Sequence, residues 1–126
     1  MIRIGFGFDA HEFEEGKPLY PGGAYVATHP GFKAHSDGDV LLHALTDALL
    51  SGAGEPDIGE LFPDKDPRWK DAPSSLFLKE AVKRVREKGY KIVNVDCVLV
   101  MDSPKLSPIK ETIRENLSEL LGVDKS

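Results

Sequence analysis

Hydrophobic residues recur along the chain in two rhythms. Ile2, Ile4, Phe6 and Phe8 alternate with Arg3, Gly5 and Gly7, which is the period of a strand. Val40 to Leu50 is an apolar run with helical length; Ser36-Asp-Gly-Asp39 supplies N-cap candidates before it, and Gly52 and Gly54 end it. Pro73-Ser-Ser75 opens a second helix, with Leu78, Ala81, Val82 and Val85 at helical spacing and Gly89 just past its end. Ile92 to Met101 is β-branched and predicts a second strand. Val93, Val95, Cys97, Leu99 and Met101 would share one face, and Ile92, Asn94, Asp96, Val98 and Val100 the other. Ser107-Pro108 caps a third helix with proline at its first position; Ile109, Ile113, Leu117, Leu120 and Leu121 form its stripe and Gly122 ends it.

The intervening stretches carry turn chemistry. Glu14 to Phe32 is rich in glycine, proline and aromatic residues, with Tyr20-Pro-Gly-Gly-Ala24 its clearest turn. Gly54 to Ala72 holds Pro56, Pro63 and Pro67 and reads as an irregular loop with short helical turns. The order strand, helix, helix, strand, helix predicts an α/β (α+β) domain, a mixed sheet with helices packed on one face. Two strands are a thin base for three helices.

Composition narrows this picture. With 126 residues there is room for one core, and 40% apolar and 29% charged residues fit a folded domain rather than a disordered one. No apolar stretch reaches the roughly 18 residues of a membrane span, and the start lacks a signal peptide's apolar region. The one cysteine, Cys97, excludes an intrachain disulfide and suits a cytoplasmic setting. Sixteen basic against 21 acidic residues give a net charge of −5, a poor footprint for duplex nucleic acid. An anionic substrate then needs metals or backbone N–H groups to supply positive field.

Asp9-x-His11 places a carboxylate and an imidazole on one face of an extended segment, a donor pair suited to zinc, manganese or another divalent ion, or else a surface pair beside a turn. His43 lies inside an apolar helix, where a histidine is more often a core residue than a ligand. Asp47 comes one turn later on the same face and is a candidate to accept the other ring N–H of a metal-bound His43. Asp9, His11 and His43 together make three ligands with an open fourth position, the pattern of a catalytic site. His35-Ser36-Asp37-Gly38-Asp39 offers either phosphate-binding N–H groups with an imidazole near developing charge, or a plain N-cap. Asp64 and Asp66 are candidates for hydroxyls or a metal, and equally for turn formation. Ser103-Pro-Lys105-Leu-Ser107 is either a base- and phosphate-reading loop or a solvated connection.

Taken in order, Gly5-Phe-Gly-Phe-Asp-Ala-His11, Ala34-His-Ser-Asp-Gly-Asp-Val40, Leu42-His-Ala-Leu-Thr-Asp-Ala-Leu-Leu50, Asp57-Ile-Gly59, Leu61-Phe-Pro-Asp64 and Asn94-Val-Asp96 resemble the 2-C-methyl-D-erythritol 2,4-cyclodiphosphate synthases of the non-mevalonate route to isoprenoids. The resemblance covers essentially the whole chain. It implies a phosphorus–oxygen lyase that cyclises 4-diphosphocytidyl-2-C-methyl-D-erythritol 2-phosphate and releases CMP. The family's zinc ligands fall on Asp9, His11 and His43, with Ala10 in the same substrate-contacting segment. His35 matches the residue that stabilises the transition state, and Ser36 its phosphate-binding neighbour. Asp57, Ile58 and Gly59 match the part holding the methylerythritol moiety, and Phe62, Pro63, Asp64, Lys65 and Asp66 line the same pocket. Met101, Asp102, Ser103, Pro104, Lys105, Leu106 and Ser107 match the loop that binds the CDP end.

The resemblance also implies Mg²⁺ or Mn²⁺ with the substrate phosphates, and a homotrimer with active sites between neighbouring subunits. The family continues after the third helix with strands, a Thr-Thr-x-Glu segment and a functional arginine. The expectation is therefore one domain over residues 1–126 without that C-terminal segment. No nucleic-acid or membrane partner is expected. A metal-dependent phosphohydrolase and a catalytically silent metal-stabilised module are the alternatives.

Overall fold

The computed structural model describes residues 1–15, 17, 21–23, 31–32, 39–63, 65–70, 72–100 and 107–124. Among the described residues four α-helices dominate: α1 Val40–Ala53, α2 Ile58–Leu61, α3 Ser74–Glu87 and α4 Lys110–Leu121. Short 3-10 turns at Pro21–Gly23, Pro67–Trp69 and Ser107–Ile109 punctuate the connections. The strands β1 Phe13–Glu14 and β2 Gly31–Phe32 pair antiparallel, Phe13 opposite Phe32 and Glu14 opposite Gly31. The architecture is a helix-rich mixture of α and β.

The helices start and stop where local chemistry permits. Asp39 caps α1 by accepting the Leu42 N–H, and Gly54 ends it in the left-handed conformation at φ 71°. Pro73 precedes α3, Gly89 lies just past it at φ 82°, and Gly122 ends α4 at φ 69°. Ser107-Pro108 does not cap α4 directly. It forms the 3-10 turn ahead of it, and Ile109 stands at the cap without a side-chain hydrogen bond.

The main core lies where α1 crosses α3. Leu42 and Leu45 of α1 meet Leu78 and Val82 of α3 and Leu121 of α4. Leu41 and Ile113 form a smaller cluster joining α1 to α4. Asp39 is 1% exposed and ties this second junction to the Pro21–Gly23 turn. Its Oδ1 accepts the Gly22 N–H at 3.0 Å and its Oδ2 the Gly23 N–H at 2.8 Å. Asn116 of α4 donates to the Gly22 carbonyl from the other side.

Two predicted strands are corrected. Residues 2–8 and 92–100 carry no ladder; the β1–β2 pair is the one sheet among the described residues. Alternation survives in residues 2–8 for another reason. Gly5 and Gly7 lie flat on α1, where a Cβ would collide with the Ala48 and Ala44 carbonyl oxygens, while Ile4 and Phe6 point outward at 88% and 78% exposure. In residues 92–100 the predicted faces do not hold. Ile92 and Val95 pack on the core, whereas Val93, Val98 and Val100 are exposed. A pleat with two distinct faces is imposed by hydrogen-bonded neighbours; contact with the helices selects different residues. Met101 lies outside the described residues.

Candidate metal centre and its surroundings

The close seating of residues 5–7 on α1 sets the course of the next few residues. It delivers Asp9 and His11 to the first turns of α1, where His43 faces them. Asp9 Oδ2 lies 2.7 Å from His11 Nε2 and 3.1 Å from His43 Nδ1. The two imidazole nitrogens are themselves 3.2 Å apart. The rings meet edge to face at 5.3 Å. All three ligand atoms lie within 4.8 Å of one another.

The donor set fits a divalent cation. A tetrahedral ion with bonds of about 2.0–2.1 Å spaces its donors about 3.3 Å apart, a few tenths of an ångström wider than these contacts. Two ring nitrogens converge on a single carboxylate oxygen, an arrangement compatible with a shared cation. Burial pushes the Asp9 carboxyl up. The hydrogen bonds and charges of His11 and His43 outweigh that and hold it well below the usual carboxylate range. Asp9 is therefore ionised and ready to ligate.

His43 is buried, with its other nitrogen accounted for. Nε2 lies 2.7 Å from Ser74 Oγ, at the first residue of α3. The expectation that Asp47 backs the ring is thus corrected. Asp47 Oδ1 instead accepts the Ile58 N–H at 2.8 Å. Helical spacing put Asp47 on the right side of α1, but the free backbone at the start of α2 lies closer to it than the ring does. Burial pushes the Asp47 carboxyl up and the Ile58 N–H opposes the shift.

Asp47 thereby ties α1 to the segment expected to hold the substrate's polyol. Asp57 caps α2: its Oδ1 accepts the Glu60 N–H at 2.9 Å, and Glu60 returns the contact to the Asp57 N–H. Ile58 is half-buried and Gly59 exposed. Asp66 caps the Pro67–Trp69 turn and pairs with Arg68 at 2.6 Å, the turn-forming role open to it from the sequence. Pro63 and Lys65 are exposed on the same loop.

Phe62 joins this loop to the metal ligands. Its ring stacks on Phe77 at 4.5 Å and meets Trp69 edge to face at 5.2 Å; Phe77 lies 5.9 Å from the His43 ring. The Trp69 Nε1–H is buried without a partner among the described residues. Ala10 is exposed between the two ligands, and Ser107 is exposed ahead of α4. His35, Ser36, Asp64 and Met101 to Leu106 lie outside the described residues.

Ser74, Phe77 and Trp69 escaped sequence reasoning. Ser74 reads as a helix-opening serine, and Phe77 and Trp69 carry no functional signal in the sequence. No local pattern marks the ring nitrogen that Ser74 meets 31 residues away.

The model of the YgbB family matches residues 2–126. A 2-C-methyl-D-erythritol 2,4-cyclodiphosphate synthase from Aquifex aeolicus is 59% identical over 124 residues, covering 98% of this chain and 80% of the relative. The chloroplastic synthase of Arabidopsis thaliana is 57% identical, and the chain spans 54% of its length. A solved structure of such a synthase in its CDP-bound form superposes with a TM-score of 0.91 at 48% identity, covering 98% of this chain and 82% of that one. The shared length, the identity and the convergent Asp9, His11 and His43 agree: the chain belongs to the YgbB family, that of the 2-C-methyl-D-erythritol 2,4-cyclodiphosphate synthases.

Proposed function

We propose that this chain cyclises 4-diphosphocytidyl-2-C-methyl-D-erythritol 2-phosphate to 2-C-methyl-D-erythritol 2,4-cyclodiphosphate, releasing CMP, as a phosphorus–oxygen lyase of the non-mevalonate route to isoprenoids. The observation that carries this reading is the meeting of Asp9, His11 and His43 in one ligand set. The 2-phosphate oxygen attacks the β-phosphorus of the diphosphate. A new P–O bond forms, the bond from that phosphorus to the bridging oxygen breaks, and CMP leaves with the electron pair. The nucleophile is already ionised, so no strong general base is required.

Asp9, His11 and His43 would hold a zinc ion or another divalent ion, which would supply Lewis-acid relief of phosphoryl charge, with Mg²⁺ or Mn²⁺ expected beside the substrate phosphates. The residues of the chain hold and orient. Asp57, Ile58 and Gly59 position the methylerythritol part, anchored through Asp47. Phe62, with Pro63, Asp64, Lys65 and Asp66, walls the same pocket. His35 stabilises the transition state, Ser36 binds a phosphate, and Met101 to Ser107 receive the CDP end. Holding two repelling phosphates in line converts a difficult encounter into an intramolecular step.

The working form is a homotrimer with sites between subunits. The outward row of Ile2, Ile4, Phe6 and Phe8 and the exposed Val98 and Val100 support self-association, because isolated soluble chains rarely leave so many large apolar side chains uncovered. Among the described residues no helix is long and apolar enough to cross a membrane. A cytoplasmic location, suggested by the lone cysteine, belongs to the same proposal.

The test is incubation with the CDP-linked substrate, Zn²⁺ and Mg²⁺ in ¹⁸O-labelled water. Release of CMP with an unlabelled cyclic diphosphate is the expected result. An open, labelled 2,4-bisphosphate would make the protein a phosphohydrolase, and no CMP at all would leave a silent metal-binding module.

A further inference from the structure

The ring of His43 has two nitrogens with different tasks. Nδ1 faces Asp9 and His11, 3.1 and 3.2 Å away, and ligates only if it carries no proton. Nε2 faces Ser74 Oγ at 2.7 Å in a pocket where Ser74 is fully buried and His43 is 8% exposed. A serine hydroxyl has lone pairs to accept the Nε2–H and its own proton to donate elsewhere. Without an oxygen at that place, the buried Nε2–H would lose the acceptor that Ser74 offers it. The ring would then favour the other tautomer, or turn over and exchange Nδ1 for a carbon. The Phe77 ring, tilted at 47° and 5.9 Å away, packs against the imidazole but offers no strong acceptor.

We propose that Ser74 is the positioning residue for His43: its Oγ accepts the Nε2–H, fixes the ring's tautomer and orientation, and so presents Nδ1 to the cation bound with Asp9 and His11. The proposal rests on the metal reading of those three residues. Ser74 is well suited to the role because its place is rigid. It is the first residue of α3, set by Pro73 before it, and it lies next to the α1–α3 core. The partner that sequence periodicity nominated, Asp47, is taken up by α2.

The experiment uses the whole chain. Long-range ¹⁵N–¹H correlation of the zinc-loaded protein reads the His43 tautomer, and chelator competition reads the zinc dissociation constant. The unaltered protein is expected to show the Nε2–H tautomer. Ser74→Ala is expected to show mixed tautomers and to bind zinc about 10–100-fold more weakly, the usual effect of removing such an outer partner. Ser74→Thr, which keeps the hydroxyl, is expected to recover most of the affinity. A folded Ser74→Ala protein with unchanged tautomer, or with zinc affinity within about twofold, overturns the proposal. If Ser74→Ala does not fold, the unaltered protein still decides, since an Nδ1–H tautomer there overturns it equally. Failure of the unaltered protein to take up zinc would sink the metal reading and the positioning role with it, whereas a Ser74→Ala protein that binds zinc as the parent does sinks the positioning role alone.

Discussion

Gly7 offers the sharpest test of how the metal centre is assembled. Its φ is not in the left-handed region, so alanine meets no backbone objection there. The objection is space. A Cβ on Gly7 would stand 2.7 Å from Ala48 N and 2.9 Å from the Ala44 carbonyl carbon, where ordinary contact is 3.4–4 Å, and the obstacle is helix backbone rather than a movable side chain. Residues 5–8 must therefore back away from α1 by more than half an ångström. Asp9 lies two residues further on and His11 four, while His43 stays with α1. Metal ligands tolerate displacements of only about 0.2 Å. Gly7→Ala is expected to cost about 1–3 kcal/mol, the usual range for crowding a packed site. For a chain of this size that is roughly 3–12 °C in melting temperature. Zinc affinity should fall with it. Calorimetry and chelator competition on the same preparation read both effects. A Gly7→Ala protein that melts and binds zinc like the parent would refute the idea that close backbone seating sets the ligand geometry.

Other substitutions probe separate links. Asp47→Ala frees the Ile58 N–H and loosens the Asp57–Gly59 turn; it should raise the KM for the CDP-linked substrate while zinc content by elemental analysis stays at the parent value. Asp39→Ala orphans the Gly22, Gly23 and Leu42 N–H groups at a buried junction and is expected to cost about 2–4 kcal/mol in urea unfolding. Glu55 is held below the usual glutamate range by hydrogen bonds from Lys88 and Arg84 at the end of α1. A lowered carboxyl stabilises the fold above its ordinary range, and that gain is lost as pH falls through its folded value. Glu55→Gln should therefore lower the melting temperature at neutral pH and leave it unchanged in acid.

The helices were legible because their signals are local. Asp39, Gly54, Pro73, Gly89 and Gly122 stand at helix ends in sequence and in structure, since caps and left-handed turns are satisfied within a few residues. The candidate metal ligands were legible too. Asp9 and His11 share a short segment, and His43 is a polar group misplaced in an apolar helix unless something binds it. The strands were not legible to the same degree. Alternation at residues 2–8 records which side chains clear α1, not a ladder. The neighbours of residues 92–100 are chosen by packing against α3 and α4.

Sequence spacing therefore determined the helix pattern, the family and the identity of three candidate ligands, all encoded over one or two helical turns or in a contiguous motif. The fold alone chose the through-space partners. Ser74 takes the His43 Nε2–H and Asp47 takes the start of α2, because hydrogen bonds between elements depend on crossing angles and on which backbone groups are left unpaired. Asp39 likewise reads as an N-cap from its neighbours. Its bonds to Gly22 and Gly23, some 16–17 residues back, exist only once the turn folds onto α1 and α4.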